Sequence, residues 1–396
     1  MANMAAGLIL VSVFASNADR DHFLRAIRGL RWTFLLVPLG IAGQMIPVPL
    51  SLAHPIWTSS YETLHSSAFG YVTADLGETL NMLFVALAAI ANVCVTIVVT
   101  RDRRRAEFVL FLSSAVLTLS AVVTVLTLVF HGSANGRHVV DAAINLAGFG
   151  LLLNLATIQL AVERVETRHV LGRSVAIGLA GLIGVLINTT LLLQIASTPD
   201  ALALALGSAV FIFIFAVRRL DLSLLPKVVL CAALLIGSTI VIAWVYEKSP
   251  NGPALLRLVP DLPSESRAAL NRIFKDGPLL GAGAGAFSKV ARIYQDNAGG
   301  APFEAPSTAA AAFVDNGWLG LAAAIIIASA ILTRLVTGGL KRGRDSFFSI
   351  AAAACLVFAT IEGFVGAGLS SPSVAAILAT AVGLGLSQSF GQSLRQ

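Results

Sequence analysis

An all-α polytopic integral membrane protein of about eleven transmembrane helices, with one large extracytoplasmic loop containing short helices, is the fold class this sequence predicts. Three observations carry that reading. Hydrophobic residues fill 57% of 396 positions and charged residues only 12%, where a soluble domain of this size carries about twice that charge. The apolar residues come in solid runs near the roughly 20 residues that a helix needs to cross a bilayer, not in the short alternating segments of a β-barrel. One long polar stretch, Tyr246 to Ala310, interrupts them.

The runs are centred near residues 10, 42, 87, 118, 151, 184, 209, 235, 322, 356 and 380. The first, Met4 to Ser16, is short. It lacks both the Lys/Arg n-region and the small-x-small cleavage site of a secretory signal, so it reads as an uncleaved or truncated first helix. The chain then divides into residues 1–245 (N-terminal helices), 246–310 (the loop) and 311–396 (C-terminal helices), one membrane domain throughout. Basic residues set the orientation, because short connections rich in Lys/Arg stay cytoplasmic. Four lie between Ser16 and Trp32, four in Arg101 to Arg105, three in Val162 to Arg173, three in Arg218 to Lys227 and four in Arg334 to Arg344, with Arg395 in the tail. On the other side the short connections hold only Arg137. The seven basic residues of the long stretch weigh little, since long loops translocate largely regardless of charge. The loop is therefore expected outside and the C-terminus inside.

The net charge of +6 is thus a topology signal. Nucleic acid is not expected as a partner, since the basic residues are dispersed over short connections without interleaved aromatics. Cys94, Cys231 and Cys355 fall inside apolar runs with no CxxC or Cys/His pairing, and the six histidines are scattered with none in the loop. Neither a disulfide framework nor a metal site is expected, and no cofactor motif is found.

At about 65 residues the loop is too long to be a mere connection. After Ser249-Pro-Asn-Gly-Pro253 the stretch from Pro263 to Asp276 reads as a short amphipathic helix with Ser264 as N-cap. Leu270, Ile273 and Phe274 share one face, and Arg267, Asn271 and Lys275 another. Two readings stand for the polar row: a diphosphate-binding ladder of guanidinium and amide donors, or an interfacial helix with its polar face in water. Gly281, Gly283 and Gly285 match neither nucleotide-loop spacing, and read as tight turns and close backbone approaches.

The run Asp276-Gly-Pro-Leu-Leu-Gly-Ala-Gly-Ala-Gly-Ala-Phe287, with Tyr294 and then Ala305-Pro-Ser-Thr-Ala-Ala-Ala-Ala-Phe-Val-Asp-Asn-Gly-Trp-Leu-Gly320, resembles the O-antigen ligase and Wzy-type polymerase family. Gln44-Met-Ile-Pro-Val-Pro49 with Trp57, and Val72-Thr-Ala-Asp-Leu-Gly-Glu-Thr79, are similar to its upstream segments. The resemblance implies a metal- and cofactor-independent glycan transferase in the bacterial inner membrane, with its loop in the periplasm. It would move a glycan from a polyprenyl-diphosphate carrier to an acceptor glycan or lipid-linked core, as polymerase or ligase, with other polysaccharide-assembly proteins as candidate partners. Carried over residue by residue, Arg267 matches the family's loop arginine and Arg137 its outer-face arginine, with Arg272, Lys275 and Arg292 as supports. Where the family has a histidine/asparagine patch this chain has Glu304-Ala-Pro-Ser307. Glu304 then becomes the candidate base, and Ser307 and Thr308 candidate sugar contacts.

Asp75, Glu78, Asp141, Asp315 and Glu362 lie at the outer ends of apolar runs, where a charge is disfavoured unless it faces a polar cavity. For Asp75, Glu78 and Asp141 contact with headgroup water is the preferred reading. Asp315 and Glu362 are weighed equally as members of an acceptor-binding cavity. Asn92, Asn154 and Asn188 are expected to bond neighbouring helices. A transporter or flippase, and an inactive family member scaffolding an assembly complex, are the alternatives.

Overall fold

The computed structural model describes residues 16–51, 53–64, 69–131, 136–167, 171–219, 254–256, 258–259, 262, 264–276, 280–295, 304–341 and 345–389. In chain order the helices are α1 (Asn17–Ala26), α2 (Arg31–Gly43), α3 (Pro55–Leu64), α4 (Leu76–Val99), α5 (Arg103–His131), α6 (Arg137–Glu166), α7 (Leu171–Ile195), α8 (Thr198–Arg219), α9 (Ser264–Asp276), α10 (Phe287–Ile293), α11 (Thr308–Lys341), α12 (Ser346–Val365) and α13 (Pro372–Ser387). Short 3₁₀ turns cover Ala254–Leu256 and Gly368–Ser370. The described strands are β1 (Pro47–Val48) and β2 (Gly70–Tyr71), an antiparallel ribbon of two residues each.

Among the described residues seven helices are long and apolar enough to cross a membrane: α4, α5, α6, α7, α8, α11 and α12. They coincide with the runs centred near 87, 118, 151, 184, 209, 322 and 356. The runs near 42 and 380 correspond to α2, of 13 residues, and α13, of 16, both shorter than the roughly 20 that a full crossing needs. The expected spans near 10 and 235 lie outside the described residues.

The bundle is built around α12 and α6, whose most apolar stretches are 78% and 67% buried by their neighbours, while α11 is 11% buried and turns most of its surface outward. Lipid gives apolar side chains no reason to cluster, so the inner helices approach through small residues and polar contacts. A Cβ on Gly148 of α6 would lie 2.3 Å from the Phe358 ring of α12, and one on Gly207 of α8 would lie 3.1 Å from the Ala354 carbonyl. Phe358 then meets Phe149 edge to face, centroids 5.6 Å apart. Asn92 donates from α4 to Ala376 O (2.8 Å) and Thr380 Oγ1 (3.1 Å) of α13. Asn154 donates from α6 to Thr118 Oγ1 of α5 at 3.1 Å. Asn188 instead donates within its own helix, to Gly184 O at 2.7 Å.

The two ends of the bundle differ in charge. At one end Arg101 pairs with Asp19 at 2.6 Å, Arg103 with Asp345 at 3.0 Å, and Arg164 with Glu107. The other end receives the described part of the long loop, and it is there that the candidate site lies.

Candidate functional site

The glycine run is laid against the break in α11. Gly281, Gly283 and Gly285 have φ of +75°, +104° and +81°, a region that L side chains avoid. A Cβ on Gly281 would stand 2.4 Å from Asp315 O, and one on Gly283 2.1 Å from Thr73 Oγ1. The strand of loop so admitted donates from Ala282 N to Val314 O and from Gly283 N to Asp315 O, both at 2.8 Å. The Asp315 carboxylate then accepts from Gly285 N (2.9 Å) and Phe287 N (2.8 Å). Gln44 closes the same knot from the end of α2: its Oε1 accepts from Ala284 N at 2.8 Å and its Nε2 donates to Asn316 Oδ1 at 3.0 Å. Two residues beyond Asp315, Gly317 leaves the helical region (φ 67°, ψ −171°), so α11 is two helical pieces joined at a kink.

A separate apolar cluster holds other described parts of the loop. Leu270 and Ile273 of α9, Phe287 and Val290 of α10, and Phe313 of α11 are buried together. Phe274 meets Phe313 edge to face at 5.0 Å. That is the apolar face expected for the helix at 264–276.

The start of α6 supplies the residue that the loop lacks. His138 Nε2 lies 3.3 Å from Glu304 Oε2, pairing a histidine on a membrane helix with the loop carboxylate. His138 also lines a cavity of about 570 Å³ together with Ser120 and Thr124 of α5, Ala367, and Ser370 and Ser371 at the 3₁₀ turn. Arg137 precedes it in the first turn of α6, whose N-cap is Gly136, with no side-chain cap bond. An uncapped first turn presents backbone N–H groups and the positive end of a helix dipole, the usual setting for a bound anion. Ser307 and Thr308 sit beside this place. Thr308 N donates to Gly366 O at 3.0 Å, and the buried Ser307 Oγ accepts from Ala310 N at 3.2 Å as the cap of α11.

Beneath the dyad lie three carboxyl groups. Asp141, expected to reach headgroup water, is instead buried and accepts from Ala367 N at 2.9 Å. Glu362 of α12 is 1% exposed, its Oε2 receives no hydrogen bond among the described residues, and its side chain reaches Asp200 of α8. Asp200 accepts from Ser197 N (2.6 Å) and Ser197 Oγ (2.7 Å). Asp75, by contrast, does sit at a helix end, capping α4 through Gly77 N and Glu78 N.

Of the residues singled out in the sequence, the fold gathers Arg137, Glu304, Ser307 and Thr308 around the Gly366–Ala367 turn, with Glu362 below. Asp315 is committed to the loop's own amides. Arg267 is half-buried, and Arg272 and Lys275 are exposed, on α9. None of the three lines the His138 cavity. His138, Asp200 and Gln44 are the residues that sequence reasoning passed over. His138 directly follows Arg137 in the sequence and was legible there as an imidazole at a helix entrance. No group of three or more His, Cys, Asp or Glu among the described residues is placed to hold a metal ion. No family model, curated protein or solved structure matches the chain.

Proposed function

We propose that this membrane protein transfers a glycan from a polyprenyl-diphosphate carrier to a sugar hydroxyl at the loop end of its bundle, as an O-antigen or exopolysaccharide polymerase or ligase of the bacterial inner membrane. The observation that carries the reading is the His138–Glu304 contact at 3.3 Å, at the mouth of a cavity bearing four hydroxyls. In the proposed reaction the acceptor oxygen attacks the anomeric carbon and its proton passes to His138. The bond from that carbon to the diphosphate oxygen breaks, and the carrier diphosphate leaves with the electron pair. Glu304, 3.3 Å from Nε2, orients the imidazole. Arg137 and the first-turn amides of α6 neutralise the departing diphosphate. Ser370 and Ser371 line the cavity and offer hydrogen bonds to the acceptor sugar, while Ser307 and Thr308 hold the start of α11 against the Gly366 turn.

The test is deletion of the gene followed by complementation, reading surface polysaccharide length and lipid-linked repeat units. His138→Ala is expected to lower transfer about 100-fold or more, the usual share of a general base, and Glu304→Gln by less. Surface polysaccharide unchanged on deletion sinks the transferase reading. Full complementation by His138→Ala sinks the assignment of the base.

A second reading is favoured by two observations. Buried carboxyls at Asp200 and Glu362, and a helix broken at Gly317, are features of transporters that move ions or protons with their cargo. Under it the chain would carry a lipid-linked glycan across the membrane. Translocation of such a lipid in sealed vesicles, driven by a proton gradient and lost in Glu362→Gln, would decide for it.

A further inference from the structure

The end of the bundle opposite the loop carries a hollow that the transfer reaction does not use. Between α1 and α2 the chain turns through Ile27 to Leu30, with Gly29 at φ +88°. The turn sets two helices at an elbow around a space of about 930 Å³, lined by Asp21, Arg25, Arg28, Arg31, Trp32 and Arg101 among others. The elbow is fixed on its inner side, where the buried His22 Nε2 lies 3.0 Å from Ser387 Oγ of α13 and Ala26 is fully buried. Its outer side therefore presents Arg25, Arg28 and Arg31 as a standing array.

The charges around the hollow do not balance. Asp19 answers Arg101 at 2.6 Å, and Asp21 is the other carboxylate beside the lining arginines. Guanidinium groups crowded in this way call for an anion with several acceptor oxygens, and a phosphate matches their fork geometry. Below the arginines the surface changes character abruptly. Trp32 is 74% exposed, and Leu35, Leu36 and Leu39 continue its outward face down α2. A tryptophan at the border between guanidiniums and exposed leucines is the pattern of a helix at the headgroup level of a bilayer.

We propose that this elbow is a binding site for an anionic phospholipid, its phosphate held by Arg25, Arg28 and Arg31 and its acyl chains laid along Trp32 and the leucines of α2. A soluble phosphate would use the guanidiniums alone. A lipid uses both halves of the surface, and the adjacency of the two halves favours it.

Thermal unfolding of the purified full chain in neutral detergent tests the site. Short-chain phosphatidylglycerol, phosphatidylcholine and inorganic phosphate are titrated separately, since a ligand that binds the folded state raises Tm saturably. Phosphatidylglycerol is expected to give a saturable rise that the other two do not. Arg28→Gln/Arg31→Gln is expected to weaken its apparent affinity about tenfold or more, the scale of one lost charge-assisted hydrogen bond. Arg104→Gln/Arg105→Gln removes equal charge from exposed positions at the same end, outside the hollow, and is expected to change nothing. Equal weakening in both double variants overturns the site, and an equal rise with inorganic phosphate overturns the lipid as its ligand.

Discussion

Asp315 shows how a single side chain can be spoken for by its own backbone. It is 5% exposed, and its two oxygens accept from Gly285 N and Phe287 N, so the carboxylate does for the loop what a capping residue does for a helix. Asp315→Asn keeps the size but offers one oxygen and a misplaced donor. It is expected to cost about 1–3 kcal/mol, the penalty for a buried amide left unpaired, and to speed proteolysis of the loop at Arg267 to Arg292. Unchanged thermal stability and unchanged cleavage would count against the anchoring role. At the other end Asp19 is held at a pKa of about 2, below the ordinary 3.8, by the Ser16 hydroxyl and then by Arg101. A depressed carboxylate stabilises the fold fully above the unfolded value and loses that contribution as pH falls toward the folded one. The stability difference between the native chain and Asp19→Asn should thus be flat above about pH 4 and shrink between about pH 4 and pH 2. A difference that persists unchanged at pH 2 refutes the assignment.

The turn from Gly366 to Ser371 is the element on which the candidate site depends. Gly366 O accepts from Thr308 N, and Ala367 N donates to Asp141, so one turn ties α11 to α6 and carries two of the cavity's serines. A Cβ on Gly368 would stand 2.4 Å from both Asp141 O and Asn145 Nδ2. Gly368→Ala is therefore expected to lower stability by about 1–3 kcal/mol, the range for overpacking a close contact, and to disturb His138 more than the basic end. Thermal unfolding and hydrogen exchange in α6 check both parts, and an unaltered α6 would contradict the close approach. Elements of this kind divide into those a sequence displays and those it does not. The long spans were legible because the bilayer demands apolar length, and Gly281, Gly283 and Gly285 were legible because regular spacing of glycine signals close approach. Asp315 looked like a sugar contact, since nothing in its neighbourhood says that loop amides will fold back onto it. His138 and Glu304 are far apart in the chain, and only the packing of α6 against the Gly366 turn brings them together. Asp200 lies beside Ser197 and Pro199 and reads locally as a helix cap; its approach to Glu362 follows from α8 packing on α12.

The whole molecule is polarised along its helices, and that polarity is what links the lipid elbow, the dyad and the proposed chemistry. From α4 to α8 the helices alternate in direction, so Asp75, His138 and Asp200 share one end while Asp19, Arg103, Arg164 and Asp345 share the other. The short Lys/Arg-rich connections gather at the basic end, and connections of that kind favour the cytoplasmic side. The loop end would then face the periplasm, where a lipid-linked glycan awaits transfer. The orientation is testable without reference to activity. Cys355 is fully buried and the remaining native cysteines, Cys94 and Cys231, lie in apolar runs, so all three can be replaced to give a thiol-free background. Ser288 on α10 and Arg104 on α5 are both exposed, at opposite ends. In intact cells with a permeable outer membrane, a membrane-impermeant maleimide is expected to label Ser288→Cys at once and Arg104→Cys only after the inner membrane is opened. Arg104→Cys leaves Arg101, Arg103 and Arg105 in place, so the charge bias that sets orientation survives the substitution. The reverse pattern of labelling would place the His138–Glu304 dyad in the cytoplasm, and with it would fall the proposal of a periplasmic transferase.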